Sequence, residues 1–259
     1  MRMMKKVLGT VTVLALSVSL LAGCGSTAAS PVSSAASTAA ESTTSSVVSE
    51  TTSAAADENE AAAAQLLNDL TGSYQELWPV ILADEYKQTW LDDCTALVGE
   101  DNAEAAFEKL SSMVTGDVYG EDAVKAYANG GGAYFCGFTN SLAILTFDGE
   151  TSTISGTDKD GNVLFSHTYH YIGMEPVRGL YEFQSDDADS GEFTYFFLAP
   201  DTSAETYHIE FRYGSDAEAL SQYDTGEYAY WLASGISTDC DQTMIDNCIE
   251  LFCTENLAG

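Results

Sequence analysis

From Ala133 onward, short runs of aromatic and β-branched residues recur, each closed by turn residues. This spacing constrains the fold more than any other feature of the chain. The runs cover 134–138, 142–147, 151–157, 163–172, 179–184, 193–198 and 206–213. Asp148-Gly149, Asp160-Gly161 and a polar loop over 185–191 separate them. Short strands with regular breaks pair with their sequence neighbours, which implies an antiparallel sandwich or barrel. Helical patterning flanks this region. Residues 57–70 are rich in Ala, Leu and acids, whereas 74–82 form an apolar stretch that holds Pro79. Residues 101–114 place Ala105, Ala106, Leu110 and Met113 at helical spacing. Residues 121–128, 216–222 and 239–253 also read as helices. In the last of these, Asp239 and Gln242 form a capping pair, and Ile245, Cys248, Ile249 and Phe252 form one apolar stripe. The fold class is therefore mainly β with flanking helices.

The N-terminus carries a different signal. Arg2, Lys5 and Lys6 precede an uncharged run over 7–22 that ends in Leu21-Ala22-Gly23-Cys24. The run is short of the roughly 20 residues that span a bilayer, so it reads as a secretory leader. Its last four residues resemble the bacterial lipobox, in which the cysteine is lipidated and becomes the mature N-terminus. Residues 1–23 are thus expected to be a lipoprotein signal peptide. Cys24 is the expected lipidation site, and the working domain lies outside the cytoplasm, lipid-anchored to the cell membrane. Residues 25–56 consist largely of Ser, Thr and Ala without apolar periodicity, so they cannot build a core. A flexible tether of this length reaches about 30 Å. The folded domain then runs over 57–259.

The formal net charge is −31, which argues against nucleic acid and against anionic headgroups as partners. Six cysteines occur, and lipidation of Cys24 leaves five, an odd number that cannot pair completely. Cys240, Cys248 and Cys253 lack the close C-x-x-C spacing of a thiolate zinc site, so they read as core or disulfide cysteines. There is no H-E-x-x-H, no P-loop and no G-x-S-x-G. No nucleophile stands beside an identifiable base, and the chain is expected not to be an enzyme. In the run over 206–213, Tyr207, Ile209, Phe211 and Tyr213 alternate with His208, Glu210 and Arg212. Residues two apart on a strand share a face, so His208 and Glu210 can offer an imidazole nitrogen and a carboxylate oxygen to one ion, with Asp201 on the preceding turn. The plainer reading is a solvated strand face on which Glu210 pairs with Arg212. His167 and His170 read as sheet-surface residues. Tyr223, Tyr228, Tyr230 and Trp231 either line a pocket or seal the end of a core.

The order of these motifs is similar to that of a known family. Gly72-Ser73-Tyr74 resembles the G-x-W signature of calycins, with Tyr for Trp. The stretch SYQELWPVIL over 73–82 resembles the opening of ZinT-type zinc-binding domains. So do Thr168–Tyr171 followed by VRGLYEF over 177–183, the segment beginning Phe193-Thr194-Tyr195, and the segment from His208 to Gly214. The resemblance covers roughly residues 70–250. It implies a calycin or lipocalin-like antiparallel β-barrel, zinc binding outside the cytoplasm, and metal capture or buffering for an uptake transporter. Carried over position by position, the family's three histidine ligands fall on Asp201, His208 and Glu210, so one histidine is kept. His170 is an outside candidate for a fourth donor. Such a nitrogen–oxygen set binds Zn²⁺ and also suits harder divalent ions such as Mn²⁺. Arg212 stands where the family has a bulky apolar residue, and the family's disulfide positions fall on His167 and Ser185. The alternative is a calycin that has lost the metal and binds a small molecule or peptide in an aromatic-lined cavity.

Replacing Cys24 with Ser is expected to abolish acylation and shift the chain from the membrane to the soluble fraction. Metabolic labelling with a fatty-acid analogue, followed by fractionation, measures both. Retained label in the variant would remove the lipobox reading.

Overall fold

Eight strands follow one another around a closed barrel, each antiparallel to the next, with the last returning to the first. They are β1 (Gly72–Glu76), β2 (Ile144–Asp148), β3 (Thr153–Thr157), β4 (Val163–Met174), β5 (Tyr181–Ser185), β6 (Tyr195–Leu198), β7 (His208–Gly214) and β8 (Ala233–Ser237). The computed structural model describes residues 58–199 and 208–258. The leader, Cys24, the tether and Asp201 lie outside the described residues. The up-and-down order and the flanking helices are those of a calycin-like barrel. Closure is made where Tyr74, Gln75 and Glu76 of β1 pair with Ser237, Ile236 and Gly235 of β8.

The inward face is aromatic. On β7, Ile209, Phe211 and Tyr213 are at most 1 % exposed and pack with Phe147, Phe183 and Phe196. Ring contacts run across the interior. Phe196 stands 5.3 Å from Tyr213, Phe193 stacks 3.9 Å from Phe165, and Tyr213 meets Trp231 edge-on at 5.0 Å. Each such pair adds about 0.5–1.5 kcal/mol beyond area burial. The Tyr213 phenol closes one end, donating to Thr139 O at 2.9 Å and accepting from Thr139 N at 2.6 Å. A helix over 58–69 (α1) lays Ala63, Leu66 and Leu67 on the same core, with Leu70 just beyond it. The β2–β3 turn admits this helix only because residue 149 is glycine. A Cβ there would sit 2.4 Å from Asn68 Cα.

The outer wall carries a second core. Between β1 and β2 the chain inserts four α-helices: α2 (Leu77–Ile81), α3 (Lys87–Val98), α4 (Glu100–Val114) and α5 (Glu121–Ala128), with a 3-10 turn at Asp84–Tyr86. After β7 and β8 come α6 (Ala217–Leu220) and α7 (Gln242–Leu257). Pro79 is tolerated in α2 because it sits in the first turn, where its missing N–H has no helical partner. Glu100 and Asp101 favour the start of α4, whose buried stripe is Ala103, Ala106, Leu110 and Val114; of the residues expected on that face, Ala105 and Met113 are exposed instead. Ile236 of the wall and Leu77 and Trp78 of α2 share a core with Trp90 of α3, Leu110 of α4 and Ile249 of α7. Among the described residues, no helix is long and apolar enough to cross a membrane.

Three readings of the sequence change. The run over 134–138 is not a barrel strand. Phe135 makes only single bridges to Thr115 and Trp231, and the run's hydrogen-bond partners are spread over Met113, Gly116, 230–234 and Glu76. It is a strap along the entry to β8. The helix expected over 239–253 starts later, because Asp241 rather than Asp239 caps it, accepting from Met244 N at 3.0 Å. Asp239 instead donates its N–H to Ser237 Oγ. The segment over 74–82 divides into the end of β1 and α2.

Phe211→Ala removes a ring that touches Phe138, Phe196 and Tyr213. The loss of stability is expected to be about 3–5 kcal/mol, measured by equilibrium urea unfolding.

Candidate metal centre

Barrel parity decides which β7 side chains face out. Because Ile209, Phe211 and Tyr213 fill the interior, His208, Glu210 and Arg212 point to the outer wall. There His208 lies opposite Ile236, and Glu210 lies opposite Ser234 of β8. The two donor side chains therefore share one face. With Glu255 of α7 they line a crevice of about 40 Å³, walled by Trp78 and Ile81 of α2 and by Phe252 and Cys248 of α7. This volume suits one ion or one water, about 30 Å³, and is far below that of a drug-sized ligand.

The neighbouring thiols are held neutral. Burial pushes Cys136 up to about 12, and the nearby Glu210 carboxylate adds to the shift. Burial, with Cys240 beside it, also pushes Cys248 up to about 12. A metal there would meet nitrogen and oxygen donors more readily than thiolates, which must lose a proton first. Among the described residues, no three His, Cys, Asp or Glu side chains converge as a metal-holding group. Asp201, the third donor expected from sequence, lies outside the described residues.

Arg212 does not neutralise Glu210 in the way the plainer reading expected. It is fully buried and turned along the wall toward the segment after α6. Its guanidinium donates to the carbonyls of Leu220, Gln222 and Tyr228 and stacks 4.4 Å from the Tyr223 ring. Desolvation lowers its pKa to about 10. Arg178 approaches the same ring at 4.5 Å. The Tyr223 hydroxyl donates to Glu175, whose carboxylate also accepts from Val177 N and Arg178 N. Sequence patterning gave no signal for this buried group, because Glu175 and Arg178 share the β4–β5 turn while Arg212 lies on β7, far away in sequence.

The other histidines stand apart. His170 bonds to Asp186 Oδ1 at 2.6 Å, and His167 bonds to Asp187 Oδ2 at 2.7 Å. His170 lies on β4, separated from β7 by β5 and β6, and its register aligns through Gln184 and Tyr195 with Gly214 rather than with His208. It does not join His208 and Glu210. The tyrosine-rich segment seals the barrel. Tyr228 and Trp231 belong to the interior core, while Tyr230, at φ 56°, stacks on Tyr127 at 3.7 Å.

No family model and no curated protein matches the chain. Among solved structures it is similar to the Zn(II)-bound ZinT-like domain of Streptococcus pneumoniae AdcA. The identity is 15 %, the TM-score is 0.45, and the match covers 71 % of this chain and 89 % of that one. It is also similar to Zn(II)-bound AdcA from the same organism, at 14 % identity and a TM-score of 0.43. That match covers 72 % of this chain and 35 % of the longer protein. The first is the kind of domain that the motif order resembles.

The buried phenols set an alkaline limit. Desolvation, the largest cause at each, raises Tyr74, Tyr127, Tyr223 and Tyr228 to about 12. The unfolded chain loses these protons near the ordinary value of about 10. Between the two values the folded state holds more protons, so stability is intact below pH 10 and falls as pH rises toward 12. Arg212 acts in the opposite sense, since its folded pKa is the lower one, but it is one group against four. The thermal midpoint is expected to fall steadily from pH 10 to 12, as followed by circular dichroism.

Proposed function

We propose that this chain is a non-enzymatic metal-binding lipoprotein. Cys24 holds it at the outer face of the cell membrane, and its domain captures or buffers zinc for a metal-uptake transporter. The observation that carries this reading is the ion-sized crevice on the outer wall, where His208 and Glu210 stand on one face of β7 opposite Glu255. His208, Glu210 and Asp201 supply one nitrogen and two carboxylates, which are ordinary zinc donors, with water completing four-coordination. The same set favours harder ions more than an all-histidine site does. The order of sequence motifs supports zinc, and the basic, apolar, Leu-Ala-Gly-Cys leader supports the anchor.

The rival, a calycin that binds a small molecule or peptide, has one observation in its favour. A groove of about 310 Å³ outside the barrel wall is lined by Trp78, Pro79, Leu82, Val114 and Phe135, with Glu76 at its edge. The barrel interior, the usual calycin ligand site, is occupied by packed rings.

Calorimetry with Zn²⁺ is expected to show saturable one-to-one binding by the metal-free protein. The Asp201→Ala/His208→Ala/Glu210→Ala variant should lose it while keeping the same circular dichroism. Equal binding by both proteins would sink the site. Elemental analysis of purified protein, beside mass spectrometry of co-purifying small molecules, separates the metal reading from its rival.

A further inference from the structure

Cys94 on α3 and Cys253 on α7 face each other within the helical layer. Both are fully buried, and their Sγ atoms lie 3.9 Å apart although the residues are 159 positions apart in sequence. They are packed among Trp90, Leu110 and Ile249. The other cysteines are placed differently. Cys136 sits on the strap with its thiol directed to Tyr134 O, Cys240 is half-buried before α7, and Cys248 faces the crevice.

We propose that Cys94 and Cys253 form a disulfide that ties α3 to α7. A thiol contact of this length needs only side-chain rotation and a small approach of the two helices to reach the bonded distance of about 2.05 Å. The oxidant is a disulfide of the glutathione or thiol-oxidoreductase class. Each cysteine gives up its proton and one electron, the oxidant's S–S bond breaks to two thiols, and one new S–S bond joins Cys94 to Cys253. The step belongs to folding. Burial raises both thiols in the finished domain, which leaves little thiolate to attack once α3 and α7 have closed. With Cys24 acylated, Cys136, Cys240 and Cys248 then remain as thiols. In the cell the proposal rests on export to a disulfide-permitting space, whereas the geometry does not depend on export.

The test therefore runs in vitro and stays independent of localisation and of metal. The full chain carrying Cys24→Ala is reduced, unfolded, and refolded in a mixture of reduced and oxidised glutathione. It is then alkylated in denaturant and mapped by peptide mass spectrometry. The expected result is one cross-linked peptide pair holding Cys94 and Cys253, with alkyl label on Cys136, Cys240 and Cys248. The oxidised protein should melt about 10 °C above the reduced one, and C94A/C253A should show no redox-dependent shift. Label on all five cysteines, or a cross-link within another pair such as Cys240 and Cys248, overturns the proposal. The mapping decides the matter even if the double variant fails to fold.

Discussion

Everything in this domain depends on the pairing of β1 with β8. That ladder, from Tyr74–Ser237 to Glu76–Gly235, turns a meander into a barrel with no free edge. It joins segments from the two ends of the fold, so every strand between them must hold its register for the ring to close. Closure in turn fixes parity. With Phe211 and Tyr213 inside, His208 and Glu210 can only be outside, and a slip of one residue would exchange the two sets. The outward pair is therefore as well specified as the core that opposes it.

Closure also explains where the helices lie. The interior is filled by rings, and α1 contributes its stripe to that core. The remaining apolar surface of the wall needs cover, and α2, α3, α4 and α7 provide it as a separate layer. The two cores meet through the wall itself. Tyr74 of β1 faces inward to Phe147, and two residues further on the chain turns out into Leu77 and Trp78.

Much of this was legible in the sequence. Alternation in β2 to β7 and the stripes of α4 and α7 located those elements, because burial on one face imposes a period of two or 3.6 residues. β8 escaped notice because Ala-Ser-Gly-Ile-Ser is buried on both faces and does not alternate. α3 escaped notice because only Trp90 and Cys94 are buried along it. The strap over 134–138 was misread because its aromatic rings fill gaps between layers without building a ladder. At the candidate site, His208 and Glu210 were legible as a shared face, but Glu255 was not. Its approach depends on how α7 docks, and a one-dimensional pattern does not encode that docking. The role of Arg212 was illegible for the same reason, since its carbonyl partners lie at the end of α6 and on the turns that follow it.

The crevice has two walls of different character. One is β7, locked into the ring by ladders on both sides. The other belongs to α7, which joins the wall through side-chain packing. The width of the space between His208, Glu210 and Glu255 is thus set by helix docking, while the spacing of the two strand residues is set by the sheet. For the proposed ion, selectivity for size and retention would then be separable properties. The barrel fixes the separation of His208 and Glu210, and a single helix, α7, packed near Trp78 and Ile81, sets how tightly the space above them is shut.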